Sequence, residues 1–270
     1  MLDVGGAERT ARKRKQTTQA ARAVAAARGG NDRRNVIIGV VIVVVMAVAV
    51  IGGVLYTRNN STSGGAGDIP VTTAHAQYPT KVEDDGTVVA GNDAAKVTVD
   101  VYEDFLCPAC GSFEKIYGEQ VEKAVADGKI KVRYHILNLL DRYSNPAGYS
   151  LEAANAAIAA ASTGKFPDFH ASLFANQPKE GGKGYTQDQL VKLGQAVGIS
   201  GGDFEAAVRG GKYNEQIKKQ LDAASNNPAL QRESAQGKSF GTPTITVNGT
   251  MIDLQDGDWL KKAIEQSGQG

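Results

Sequence analysis

The sequence predicts an α/β domain preceded by one transmembrane helix, and three observations support this prediction. The first is an uncharged apolar span close to the N-terminus. The second is a strand–helix–strand unit whose helix begins with two cysteines, and the third is a long helical region followed by a strand hairpin and a last helix. The element order is therefore βαβ, a helical block and ββα, which is typical of α/β folds that contain a parallel strand pair.

The transmembrane prediction rests on residues 36–56. These 21 residues, VIIGVVIVVVMAVAVIGGVLY, carry no charge. At about 1.5 Å of rise per residue, such a helix crosses the roughly 30 Å hydrocarbon core of a bilayer. A cleaved signal peptide is the alternative, but its apolar region is usually only about 7–15 residues long. The nearest A-x-A cleavage pattern, at residues 74–76, also lies far downstream. We therefore expect a retained anchor.

The charge distribution predicts the orientation of this anchor. Residues 1–35 hold nine basic and three acidic residues, about +6 in sum, which leaves about −5 for the rest because the whole chain carries +1. The positive-inside rule makes residues 1–35 a cytoplasmic basic tail and puts everything after the span outside. We expect a single-pass plasma-membrane protein with an extracytoplasmic catalytic domain. The mildly acidic outer part argues against a nucleic-acid partner.

The part after the anchor divides at about residue 95. Residues 57–95 are expected to be a linker and N-terminal extension, since residues 57–70 are polar and rich in Gly and Ser and resemble a flexible tether. A short strand is expected at residues 87–90. The domain itself is expected over residues 96–270.

The domain begins with the strand–helix–strand unit. In residues 96–102, KVTVDVY, valines alternate with other residues, which predicts a strand. Apolar residues at helical spacing, Ile116 among them, predict a helix from Ala109 to about Gly128, where glycine is placed to end it. Residues 129–137, KIKVRYHIL, predict the second strand.

The remainder combines a helical insertion with a hairpin. Residues 144–237 show helical patterns and few strand signals. Residues 244–247 and 251–253 then predict two short strands, joined across Asn248-Gly249 as a type I′ turn. A last helix is expected at about residues 257–266.

The chemistry centres on the chain's two cysteines, Cys107 and Cys110. Cysteines three residues apart at a helix start lie within disulfide reach. The helix N-terminus favours an anion, so Cys107 is expected to be the exposed, acidic nucleophile and Cys110 the more buried resolving thiol. Pro108 suits the first helical turn. Half of a metal site and an inert structural disulfide are the alternatives; no metal ligand set is predicted.

A second motif precedes the first hairpin strand. In Gly241-Thr242-Pro243-Thr244, proline stands at a position that strands allow, and either a cis or an ordinary trans peptide fits this sequence.

Together these motifs resemble the DsbA-like branch of the thioredoxin superfamily. VDVYEDFLCPACGSFEK (residues 99–115) and GTPTITVNG (residues 241–249) support the resemblance, which covers about residues 95–268. It implies a thioredoxin-like fold with a helical insertion, a cis Pro243 packed against the cysteines and a Thr242 that contacts substrate.

The resemblance also bears on the residues around the cysteines. It suggests that the acidic pair Glu103-Asp104 relays the buried thiol's proton, although two solvated loop acids remain an equal alternative. The best-known oxidases of the family carry Pro-His between the cysteines, and here Pro108-Ala109 stands instead. Ala109 offers the Cys107 thiolate no charge or donor, which predicts a milder oxidant and leaves the direction of electron flow open.

The predicted function is that of a thiol–disulfide oxidoreductase without a cofactor. We expect it to act on exported proteins with cysteine pairs and to be reoxidised by a membrane partner, with a quinone-linked oxidase as the expected class. A reductase or isomerase of the same fold, a thiolate metal chaperone and a non-catalytic substrate-binding module are the alternatives. The three histidines, at positions 75, 135 and 170, are expected to be structural or solvated.

Overall fold

A computed structural model of the chain describes residues 67–234 and 237–267. The predicted basic tail (residues 1–35) and transmembrane span (residues 36–56) lie outside these residues, so both stay predictions. Within the described ranges, no helix has the length and apolar character that a membrane crossing requires.

The strands are β1 (Thr80–Val82), β2 (Val88–Ala90), β3 (Val97–Glu103), β4 (Ile130–Ile136), β5 (Arg232–Ser234), β6 (Gly237–Ser239), β7 (Thr244–Val247) and β8 (Thr250–Met251). In the described part of the chain, six of them form one sheet in the order β1-β2-β4-β3-β7-β8, and β5 and β6 form a separate hairpin. Strands β3 and β4 are parallel, whereas the other neighbours are antiparallel. The parallel pair confirms the predicted strand–helix–strand unit.

The helices are α1 (Pro108–Ala126), α2 (Tyr149–Ala161), α3 (Phe166–Ala175), α4 (Gln187–Ala196), α5 (Gly202–Gly210), α6 (Asn214–Asn226) and α7 (Trp259–Ser267). Helix α1 joins β3 to β4. Its buried stripe consists of Phe113, Tyr117, Val121 and Val125, at a spacing of four residues. Ile116 lies off this stripe and is 61% exposed, contrary to the prediction that it belongs to the buried face.

The helical insertion is arranged around α2. Its alanines are buried, and α2 packs against α3, α4, α5 and α6. Small side chains let neighbouring helices approach closely, because the interaxial distance depends on the residues at the contact. The helices end before β5, so the last part of the region predicted to be helical is a strand. A three-residue strand is too short to show a periodicity.

The predicted turn between β7 and β8 is present. Asn248 and Gly249 have φ angles of 49° and 82°, which a type I′ turn requires at both central positions. Strand β8 ends at Met251, two residues before its predicted end.

The N-terminal extension packs onto the domain. Ile69, within the predicted tether, is only 3% exposed. The Thr72 and Ala74 amides donate to Ser172 Oγ and Asp168 Oδ1, both at 2.9 Å. These contacts attach the extension to α3.

Candidate active site

The two cysteines lie where β3 leads into α1. Cys107 is the N-cap of α1 and Pro108 is its first residue. Proline is well suited to this place because its missing N–H has no helical partner there. Both thiols are free. The unpaired amides of the first turn therefore face the Cys107 sulfur, as the sequence predicts.

The cysteines differ in burial, but less than predicted. Cys110 is fully buried and Cys107 is 6% exposed, so the expectation of an exposed Cys107 is wrong. The cause is the segment before β7, which covers the sulfur: Cys107 Sγ donates to the Thr242 carbonyl oxygen at 3.3 Å.

The two thiols have opposite pKa shifts. A hydrogen bond from Cys110 is the largest cause lowering the pKa of Cys107 to about 6, against the opposing effect of burial. The Thr242 side chain and the amides of Cys110 and Ala109 lower it further. Burial, followed by the interaction with Cys107, raises the pKa of Cys110 well above its ordinary value. Near neutral pH the pair is therefore one thiolate beside one thiol, and the hydrogen bond to the Thr242 carbonyl belongs to the protonated form of Cys107.

The second motif lies against these sulfurs. The Thr242–Pro243 peptide is cis, as the resemblance implies, and the trans alternative is wrong. Strand β7 pairs with β3, which brings this loop to the end of β3 where α1 begins. From β5, the Arg232 guanidinium donates to the Pro243 carbonyl oxygen at 2.5 Å.

The two acidic residues before the cysteines are both buried, so the alternative of two solvated loop acids is wrong. Asp104 accepts hydrogen bonds from the Leu106 and Leu140 amides and from Ser150 Oγ, each at 2.8 Å. Burial raises its pKa to about 6, against these three bonds. With its oxygens occupied in this way, Asp104 fixes the loop that carries Cys107.

Glu103 belongs to a different group of side chains. His170 Nε2 lies 2.7 Å from Glu103 Oε1, and the carboxyl group of Glu114 on α1 lies within 4.8 Å of both side chains. Burial raises the pKa of Glu103 well above its ordinary value and that of Glu114 to about 8. The negative charge of Cys107 raises the Glu103 value further. Burial and the nearby thiolate therefore both favour the protonated form of Glu103.

The same group is the candidate ligand set for a metal ion within the described residues. The ligand atoms of Glu103, Glu114 and His170 lie within 4.8 Å of one another. The raised pKa values of both carboxyl groups account for this proximity, because two ionised carboxylates at such a distance would repel each other.

Comparison with known proteins decides the family. The family profile described as Thioredoxin matches residues 83–266, about two thirds of the chain. The chain belongs to the thioredoxin family.

Two relatives refine this assignment. The reduced structure of DsbG, a disulfide bond oxidoreductase from Mycobacterium tuberculosis, matches with a TM-score of 0.57 and 30% identity, covering 76% of this chain and 90% of that one. Disulfide bond formation protein D from Bacillus subtilis is 27% identical over 189 residues, covering 68% of this chain and 78% of its own length. The predicted resemblance to the DsbA-like branch is confirmed, and the predicted enzyme class agrees with these homologues.

Another relative of this thioredoxin-family protein is named as a kinase and not as a disulfide oxidoreductase. The serine/threonine-protein kinase PknE from Mycobacterium tuberculosis is 30% identical over 191 residues, which is 68% of this chain and 32% of the kinase. The chain thus spans about a third of the length of this relative. The name of so much longer a protein assigns no activity to this chain.

Three residues near the cysteines escaped the sequence analysis. Glu114 carried a weak signal: it is four residues after Cys110 and three before Tyr117, so helical spacing puts it on the buried face of α1. His170 was expected to be structural or solvated; it is buried and joined to Glu103. Gln177 gave no signal, because a glutamine in a loop is ordinary, yet its amide contacts the backbone of Cys107.

Proposed function

We propose that this protein introduces disulfide bonds into exported proteins through Cys107 and Cys110. The observation that carries the proposal is the pair of unequal thiols beside the cis Pro243: the pKa of Cys107 is lowered to about 6, and that of Cys110 is raised. A low thiol pKa stabilises the reduced enzyme, so the corresponding disulfide accepts electrons readily.

The reaction begins with the oxidised enzyme. A substrate thiolate attacks Cys107 Sγ, which is the less buried sulfur, and the Cys107–Cys110 bond breaks. Cys110 leaves with the electron pair and takes a proton from Glu103, whose raised pKa keeps a proton available. The first product is a mixed disulfide between Cys107 and the substrate.

The second exchange releases the substrate. Its other thiolate attacks the substrate sulfur of the mixed disulfide, and Cys107 leaves as a thiolate. A thiol with a pKa of about 6 is a good leaving group. Two electrons have then passed from the substrate to the enzyme, and the substrate carries a new disulfide.

The neighbouring residues support these steps. Thr242 and Pro243 are proposed to contact the substrate, because the Thr242 carbonyl lies at the reacting sulfur. Pro108 and Ala109 are exposed at the start of α1, so the substrate's cysteine approaches Cys107 from the side of these two residues.

The cellular setting is also a proposal. The uncharged span at residues 36–56 and the basic residues before it favour a retained anchor with the catalytic domain outside. In this proposal a membrane partner, a quinone-linked oxidase, then reoxidises the enzyme. A reporter enzyme that functions only after export, fused after Gly270, should be active. A mature N-terminus beyond residue 56 would contradict the retained anchor.

The activity is tested with two assays on the purified full chain. We expect the oxidised protein to reactivate reduced ribonuclease. With dithiothreitol as the reductant, we expect the protein to catalyse insulin reduction only slowly. The Cys107→Ser variant should lose both activities, and the exposed Ser112→Ala variant on the same helix should keep them. Rapid insulin reduction without ribonuclease oxidation would point to a reductase. If the wild-type protein shows neither activity, the remaining explanations are a metal chaperone and a non-catalytic substrate-binding module.

A further inference from the structure

The loop that carries Cys107 is held by a side chain from the helical insertion. Gln177 follows α3, and its Nε2 donates to the carbonyl oxygens of Phe105 at 3.0 Å and Cys107 at 2.8 Å. We propose that Gln177 is a positioning residue that sets the acidity of Cys107 and thereby the oxidising strength of the pair. This inference rests on the proposed function.

The chemistry of the contact fixes the orientation of the amide. Backbone carbonyl oxygens only accept hydrogen bonds, so the NH₂ group of Gln177 must face them. Both of its hydrogens are used, one for each carbonyl. The amide oxygen then points the other way, toward α1.

Gly111 is the residue that makes room for this oxygen. A Cβ atom built on Gly111 would lie 2.4 Å from Gln177 Oε1, and the three nearest atoms all belong to Gln177. No side chain fits at that distance. The glycine directly after Cys110 therefore has a specific function: it admits the Gln177 amide.

The segment around Gln177 is itself firmly attached. The Asn176 side chain donates to the Pro70 and Ser172 carbonyls at 2.9 and 2.8 Å, and Tyr185 Oη donates to the Asn176 carbonyl at 2.7 Å. These bonds tie the position of the amide to α3 and the N-terminal extension. The backbone next to Gln177 is thus held in place while its side chain contacts the loop that carries Cys107.

The consequence for Cys107 is both geometric and electrostatic. The Cys107 carbonyl also accepts the first helical bond of α1, from the Gly111 amide at 3.1 Å. A donor from Gln177 on the same oxygen fixes the cap conformation that directs the sulfur to the helix N-terminus. The NH₂ group that binds this oxygen is the positive end of the amide dipole. The fixed cap conformation and this dipole both favour the thiolate, so losing Gln177 raises the Cys107 pKa and weakens the oxidant.

The test uses the full chain and two substitutions at one site. Gln177→Ala removes the donor, and Gln177→Glu keeps the size but turns an oxygen toward two carbonyls. The exposed Gln195→Glu on α4 is the matched control, because it makes the same chemical change away from the loop. The Cys107 pKa comes from the pH dependence of its alkylation, and the thiol–disulfide equilibrium constant is measured against glutathione.

We expect both Gln177 variants to raise the Cys107 pKa and to shift the equilibrium constant about three- to tenfold toward the disulfide, as for one or two lost hydrogen bonds. Gly111→Ala should produce the same shift in the wild-type background, because its methyl group expels the amide. In the Gln177→Ala background it should have little further effect. This dependence is what distinguishes positioning from a general loss of stability.

Two results would overturn the inference. In the first, the Gln177 variants have the same Cys107 pKa and the same equilibrium constant as the Gln195→Glu control and differ only in unfolding more easily. The second is a Gly111→Ala effect that is equal in both backgrounds. A wild-type protein that oxidises no substrate would instead refute the proposed function, since both measurements on Cys107 can be made without a protein substrate.

Discussion

The partly buried acidic residue Glu114 leads to a prediction in which stability depends on pH. Its folded-state pKa of about 8 lies above the ordinary 4.5 because burial disfavours the charged form. A carboxyl group with a raised folded pKa binds more protons in the folded state, so stability is lost as pH rises from about 4.5 to about 8. Glutamine mimics the protonated acid and can still donate to Glu103. Glu114→Gln should therefore stabilise the protein.

The pKa difference sets the size of the effect. At pH 7 the gain should be about 3 kcal/mol, and at pH 5 less than about 1 kcal/mol, since each pKa unit corresponds to about 1.4 kcal/mol. Urea unfolding of the reduced full chain at both pH values measures it. The control is Glu119→Gln on the same helix, where the carboxylate is 55% exposed and paired with Lys123. A Glu114→Gln gain that does not grow between pH 5 and pH 7 would refute this account of the buried acidic group.

Three further predictions concern the thiols and the loop before them. Cys107 should be alkylated well before Cys110 near neutral pH, as mass spectrometry of the modified peptides can determine; the reverse order would exchange their roles. The Ala109→His variant should raise the reduction potential by roughly 30–60 mV, because a charge-assisted hydrogen bond contributes about 1.5–3 kcal/mol; an unchanged potential would contradict this. Ser150→Ala removes a buried hydrogen bond to Asp104 and should cost about 1 kcal/mol in urea unfolding; a variant as stable as the wild type would show that this bond contributes nothing.

The sequence predicted those parts of the site that depend on local structure. Cys107 and Cys110 are three residues apart at a helix start, so their position follows from the strand and helix patterns around them. The resemblance added the cis Pro243. The Asn248-Gly249 turn was predictable because few residues adopt positive φ angles at both central positions.

The remaining features depend on contacts between distant parts of the chain. Glu103 meets His170 across 67 residues, and the Thr242 carbonyl covers Cys107 from 135 residues away. No local sequence pattern predicts such contacts. The burial of Cys107 and the cluster of Glu103, Glu114 and His170 were therefore missed. Strands β1, β5 and β6 were missed for another reason: three residues are too few for an alternation to be recognised.

The central claim is that the Cys107–Cys110 pair is a moderate oxidant, and its reduction potential tests this most directly. The lowered pKa of Cys107 predicts a potential above that of thioredoxin, about −270 mV, and Ala109 predicts one below the strongest oxidases of the family, about −120 mV. The measurement equilibrates the full chain in glutathione buffers and counts the free thiols by alkylation. A value between these limits is the predicted result, whereas a value at or below that of thioredoxin would contradict the oxidase assignment and favour a reductase.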